Sequence, residues 1–212
     1  MQLATISGKD APRGVAILST GDMLDIALAA RNLPGDVGDA LRDGSLQRLI
    51  EAGPAALAVL GDLVEAAEAG RHANAVLLPG ARLLAPIPQP RKNIFRVGRN
   101  YAEHIAEGDR AQNQKVGVTE HPVFFTKPPT SILGPDGDVL IFPTVSEAID
   151  YEVELALVIG KPGRNIAPAD AYDHVFGYTI LNDITARDIQ RRHGGQYFKG
   201  KGLDGSCPIG PW

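Results

Sequence analysis

The feature that most constrains the fold is a change of hydrophobic period across a proline-punctuated connector, APIPQPRKN at residues 85–93. Each proline disfavours helix in the residue before it, so this segment is extended and divides the chain. Before it, VAILST (15–20) reads as a short strand, and GDMLDIALAARN, SLQRLIEAG and PAALAVLGDLVEAAEAG carry apolar residues at helical spacing. AVLLPGARLL then returns to extended structure. Beyond the connector the pattern becomes that of strands: NIFRVG (93–98), PVFFTK (122–127), DVLIFP (138–143), YEVELALVIG (151–160) and VFGYTILND (175–183). GPDGD, KPGRN and the HGG of 193–195 supply turns, and NYAEHIAE (100–107) and ITARDIQRR (184–192) read as short helices. The expected fold class is therefore α+β and strand-rich, with a small N-terminal α/β domain over residues 1–85 and a second domain over 86–212.

Composition removes several classes of function. A net charge of −4 and a pI near 5.7 argue against a dedicated nucleic-acid binder. No apolar run approaches the roughly 18 residues of a membrane span. The opening MQLATISGKDAPRG lacks the apolar core of a signal peptide, so a cytoplasmic location is expected. Cys207 is the single cysteine, which rules out an internal disulfide and suits a small buried residue beside Pro208.

Two phosphate-loop lookalikes overlap near the C-terminus. Gly200-Lys-Gly-Leu-Asp-Gly205 matches G-x-G-x-x-G but lacks both the preceding buried strand and the following helix. Gly195 to Lys201 resembles a Walker A loop, yet Gly202 stands where Ser or Thr would bind Mg²⁺. Neither H-E-x-x-H nor G-x-S-x-G occurs.

Three constellations carry chemistry. Glu152 and Glu154 lie two apart in a strand, hence on one face, and Asp183 ends another strand. If the three converge, they form a set of hard oxygen ligands suited to Mg²⁺, Mn²⁺ or Ca²⁺. The same spacing also describes two glutamates on the solvated face of an edge strand. His104 and Glu107, three apart on a short helix, can pair so that the carboxylate orients the imidazole as a general base. They equally fit an ordinary surface pair. From Arg187 to Lys201 the chain carries Arg187, Arg191, Arg192, Lys199 and Lys201 against only Asp188. This basic, glycine-hinged stretch can close over an anionic substrate, although basic residues at a helix C-terminus also simply offset its dipole.

Taken in order, VGRNYAEHIAE, PVFFTKPPTSILGP, DYEVELALVIGK, GYTILNDITARDIQ and GKGLDGSCPIGP resemble the fumarylacetoacetate hydrolase family over roughly residues 94–212. The resemblance implies a mixed β-sheet roll or partly open barrel, usually a homodimer. It implies a Mg²⁺ (or Mn²⁺ or Ca²⁺) site at Glu152, Glu154 and Asp183, catalytic His104, Glu107 and Lys201, and substrate contacts at Arg99, Tyr101, Lys127, Arg187 and Gln190. The implied substrate is a small anionic 2-oxo acid. The leading expectation is hydrolysis of a C–C bond in a 2,4-dioxo acid of acylpyruvate or fumarylacetoacetate type. Decarboxylation, isomerisation or hydration on the same scaffold is the enzymic alternative, and a non-catalytic or truncated ligand-binding homologue the other. Family members run further, so a longer protein is expected to continue beyond Trp212.

Overall fold

The computed structural model describes residues 1–212 apart from 78, 102, 104, 107–109, 111–119 and 193–195. The first third builds one antiparallel sheet against helices. Strands β1 (Gln2–Ile6), β2 (Arg13–Ile17), β3 (Met23–Asp25), β4 (Val76–Leu77) and β5 (Leu83–Leu84) assemble in the order β4-β3-β2-β1-β5. Helices α1 (Ile26–Ala29), α2 (Gly35–Arg42), α3 (Leu46–Ala52) and α4 (Pro54–Glu68) pack on it. Leu24, Leu41, Leu49 and Leu60 are fully buried between them, each contributing about 1.5–3 kcal/mol by leaving water.

Local chemistry sets the helix ends. Ser45 accepts a hydrogen bond from the Arg48 amide at the start of α3. Gly53, with φ of 76°, ends it in a conformation that costs glycine nothing, and Pro54 opens α4 where no amide hydrogen is needed. The sequence expects a helix over 21–32. Only Ile26–Ala29 is helical, because Met23–Asp25 is taken into the sheet between β2 and β4. Strand β1 and helix α2 lie outside the elements that the sequence pattern predicts. The pattern of α2 is diluted by Gly35 and Gly38, and the latter allows a close approach: a Cβ there would lie 2.3 Å from the Leu33 carbonyl oxygen.

Beyond the connector lie β6 (Ile94–Gly98), β7 (Val123–Lys127), β8 (Ile132–Leu133), β9 (Ile149–Asp150), β10 (Val153–Ile159), β11 (Val175–Asn182), β12 (Thr185–Ala186) and β13 (Cys207–Gly210). They form a sheet ordered β10-β11-β13-β8 and the pairs β6–β7 and β9–β12. The β13–β8 pairing is parallel and the others antiparallel. Short helices α5 (Arg187–Arg192) and α6 (Phe198–Lys201) follow β12. The architecture is a mixed α+β, strand-rich one with several sheets, and among the described residues none closes on itself.

The expected strand at 138–143 is not one. Its residues pair with no strand among those described, Pro143 lies in a turn, and Leu140, Ile141 and Phe142 are exposed. Hydrophobic β-formers make a strand only where a neighbour takes up the ladder hydrogen bonds. Among the described residues no helix is long and apolar enough to cross a membrane.

Candidate active site

The acids converge where β10 and β11 begin and end. Glu154 stands opposite Leu181 in the ladder. One step earlier, the Glu152 carbonyl accepts from the Asp183 amide at 2.8 Å, while the Glu152 amide donates to Asn182 Oδ1 at 3.2 Å. This extension past the end of the strand brings one carboxylate oxygen from each of Glu152, Glu154 and Asp183 within 4.8 Å of one another. Asp183 is fully buried, and the two glutamates are half-buried on the less exposed face of β10 and its extension.

Basic groups are interleaved with these acids. Lys201 Nζ donates to Glu152 Oε2 at 2.7 Å, Asp183 Oδ2 at 2.6 Å and Thr185 Oγ1 at 2.9 Å. Lys127 Nζ donates to Asp183 Oδ1 at 2.7 Å and the Ile184 carbonyl at 2.9 Å, with no exposed surface. Arg187 pairs with Glu152 and, at 2.8 Å, with Asp150, and its Nη1 donates to Gln190 Oε1 at 3.1 Å. Arg96 lies against Glu154, with Nη2 3.0 Å from Asp183 Oδ2.

These neighbours set the protonation states. Burial pushes the Asp183 carboxyl up, but Lys201, Lys127 and Arg96 together outweigh it and hold the group below its ordinary range. Burial pushes Glu154 up, and there Arg96 does not fully compensate. Lys127 is pushed down by burial, which its bond to Asp183 only partly offsets.

Helix α6 delivers Lys201. A Cβ at Gly200 would meet the Gln190 amide nitrogen at 2.7 Å and the Ala186 carbonyl at 2.9 Å. Only glycine lets α6 lie this close to α5 and β12. The glycine pattern that mimics a nucleotide loop is thus a packing device that seats a lysine. Phe125 walls the ammonium, its ring centre 5.2 Å from Nζ, and Tyr197 meets that ring edge-on at 5.4 Å.

Of the expected site residues, Glu152, Glu154, Asp183, Lys201, Lys127, Arg187 and Gln190 form one connected cluster. Arg99, half-buried with φ of 53°, and exposed Tyr101 follow the end of β6. His104 and Glu107 lie outside the described residues. Arg96 and Thr185 are members that sequence reasoning missed. In β6 a period-two reading turns Phe95 and Val97 inward, whereas they are 66% and 42% exposed and Arg96 is 4% exposed. A charged residue flanked by two large hydrophobics at i±1 was the available signal.

The donor set fits a divalent cation. Three carboxylate oxygens meet at one place, and beside them two buried nitrogens, Nη1 and Nη2 of Arg96, have no hydrogen-bond partner in good geometry among the described residues. Glu152, Glu154 and Asp183 would hold the ion. An apolar cavity of about 420 Å³, lined by Leu46, Ile50, Val158 and Trp212 among others, shares no residue with this cluster. It lacks the charged groups for such chemistry.

The chain is similar to known proteins in sequence and in fold. The family model described as the C-terminal part of fumarylacetoacetate (FAA) hydrolase matches residues 93–212. The oxaloacetate tautomerase YisK of Bacillus subtilis is 51% identical over 134 residues, which is 63% of this chain and 43% of the relative. The mitochondrial oxaloacetate tautomerase fahd2 of Xenopus laevis is 35% identical over 217 residues, covering 100% of this chain and 60% of the relative. Among solved structures, a fumarylacetoacetate hydrolase from the psychrophile Exiguobacterium antarcticum superposes with a TM-score of 0.71 at 35% identity, covering all of this chain and 65% of that one. The chain thus spans less than two thirds of the length of each of these relatives.

Proposed function

The chain belongs to the fumarylacetoacetate hydrolase family, and from that premise we propose that it is an enzyme interconverting the keto and enol forms of a small 2-oxo dicarboxylic acid of the oxaloacetate class. The observation that carries this reading is the charge balance around Lys201. Asp150, Glu152, Glu154 and Asp183 face Arg96, Lys127, Arg187 and Lys201, so the cluster is formally neutral. A divalent cation at the three carboxylates leaves two positive charges in excess, which a dianionic 2-oxo dicarboxylate balances.

When bound, a divalent cation (Mg²⁺, Mn²⁺ or Ca²⁺) supplies a Lewis-acid centre for the substrate's keto and adjacent carboxylate oxygens. Lys201 supplies the charge that enolisation needs. Its ammonium is fixed by three acceptors, walled by Phe125 and nearly sealed from solvent, so it stabilises negative charge developing on the substrate oxygen without first reorganising. Arg187, already braced by Asp150 and Gln190, offers its guanidinium to the distal carboxylate. His104, oriented by Glu107, takes the proton from carbon and returns it to oxygen; Arg99 and Tyr101 complete the substrate contacts. The names of the relatives at 51% and 35% identity support tautomerisation.

Cleavage of a C–C bond in a 2,4-dioxo acid is the second reading, and the likeness to a fumarylacetoacetate hydrolase favours it. It uses the same lysine, with His104 activating a water instead. The two are separated by offering the purified protein and Mg²⁺ the enol form of oxaloacetate and an acylpyruvate side by side, with products followed by NMR. Accelerated ketonisation with intact acylpyruvate is the expected result. Cleavage of the acylpyruvate without ketonisation overturns the tautomerase reading in favour of the hydrolase.

The functional unit is proposed to be a homodimer. Val153, Leu155, Leu157 and Ile159 of β10 and Tyr178 and Ile180 of β11 lie on one face of the sheet, and each is more than half exposed. Large contiguous apolar patches of this kind mark interaction surfaces on soluble proteins. A second copy related by a two-fold axis, which brings the same patch of both copies together, is the proposed occupant.

A further inference from the structure

Arg96 stands apart from the other cations of the cluster. It projects from β6 at a position where the backbone is held in register opposite Phe125. Its side chain is 3% exposed, and the guanidinium presses on Glu154 and Asp183, two of the three residues that would hold a divalent ion. Lys127 and Lys201 each have two or three well-formed hydrogen bonds. Among the described residues neither Nη1 nor Nη2 of Arg96 has a partner in such geometry, so its contact is charge against charge without the fork that arginine makes with a well-placed carboxylate. A guanidinium also cannot release its proton to make way for another cation.

We propose that Arg96 is a built-in counter-cation which a divalent ion must displace from Glu154 and Asp183, so that the site takes up metal weakly until an anionic ligand balances the added charge. This rests on reading Glu152, Glu154 and Asp183 as metal ligands. Two cations cannot share the same carboxylates at contact distance without mutual repulsion, and near-complete burial weakens the screening. Because β6 is fixed by its pairing with β7, the guanidinium yields by rotating its side chain. Its planar donors then face the ion's own anionic ligand, with the geometry that suits a carboxylate. Metal and anion therefore strengthen each other's binding by the same factor.

The test is a titration of the full chain with Mn²⁺, free ion being read by electron paramagnetic resonance, without and with oxalate. Wild type, Arg96→Met and Arg96→Lys are compared, with circular dichroism to establish that each is folded. Wild type is expected to bind Mn²⁺ about tenfold or more tightly with oxalate than without. Arg96→Met is expected to bind Mn²⁺ alone about tenfold more tightly than wild type, and to gain less from oxalate, while Arg96→Lys stays close to wild type. Should the methionine variant not fold, Arg96→Gln makes the same comparison. Equal or weaker Mn²⁺ binding on loss of the charge, with Glu154→Gln still abolishing it, overturns this role for Arg96 and leaves the metal site standing. Absence of Mn²⁺ binding in every variant, with and without oxalate, overturns both.

Discussion

Lys201 and Asp183, eighteen residues apart in sequence, meet in the interior with Nζ 2.6 Å from Oδ2. The same ammonium reaches Glu152 and Thr185, so one lysine on α6 ties the ends of β10 and β11 to β12. Replacing it removes a charge on which three acceptors depend. Lys201→Met is expected to lower stability by about 3 kcal/mol and the rate of ketonisation by about 10²–10³-fold. Urea unfolding and an enol-oxaloacetate assay measure the two effects separately. An active, fully stable variant would remove Lys201 from the mechanism.

Glu154→Gln keeps the size of the side chain and removes one ligand charge. Mg²⁺ or Mn²⁺ at millimolar concentration is expected to raise the melting temperature of wild type, because an ion that binds only the native state stabilises it by mass action. The variant is expected to lose that increment while melting, in the absence of metal, within a few degrees of wild type. Differential scanning fluorimetry with and without metal decides it; an undiminished metal response in Glu154→Gln counts against the site.

Burial raises the thiol of Cys207 to about 11, from an ordinary 9.0. Below pH 9 the thiol is protonated in both the folded and unfolded chain, and its contribution to stability is constant. As the pH rises from 9 towards 11, the unfolded thiol ionises first, so stability falls by an amount approaching 2–3 kcal/mol, on the order of two pKa units. Cys207→Ala is expected to flatten this part of the pH–stability curve. In the native protein the thiol is expected not to react with a thiol reagent at pH 8, and to react once in denaturant.

On the exposed face of β10 and β11, Leu155→Glu together with Leu157→Lys is expected to convert a dimer into a monomer without changing the far-ultraviolet circular dichroism. Light scattering coupled to size exclusion reads the mass. A wild-type protein that is monomeric at tens of micromolar refutes the dimer at once.

Asp25 tests the first third of the chain. It is fully buried, pairs with Arg13 and accepts the Leu28 amide at 2.8 Å to cap α1. Asp25→Ala is expected to cost about 2–3 kcal/mol by losing the cap and the acceptor that Arg13 and the Leu28 amide share. Asp25→Asn, which keeps an acceptor, is expected to cost about 1 kcal/mol, since the partly exposed Arg13 is screened by water. Chemical denaturation of the two variants ranks them.

The elements that could be read in advance are those whose signal is local. Helices α3 and α4 follow from apolar spacing bracketed by Ser45, Gly53 and Pro54, and strands β6, β7, β10 and β11 from dense β-branched and aromatic runs. Glu152, Glu154 and Asp183 were legible as a ligand set because their residue types and the period of a strand limit what they can do together. What sequence could not supply was pairing. DVLIFP has the composition of a strand, yet no described strand lies beside it, while Met23–Asp25, in a helical pattern, is drawn into a sheet by its neighbours on both sides. The inward turn of Arg96 is of the same kind. Strand alternation fixes which residues share a face, but only the packing of β6 against the acid cluster decides which face is buried. The chemical inventory and the local turns follow from the chain's own order of residues, since both depend on near neighbours. Which charges meet depends on the folded chain, because a carboxylate trio becomes a site only when segments dozens of residues apart are held within a few ångströms, where burial makes their interactions strong.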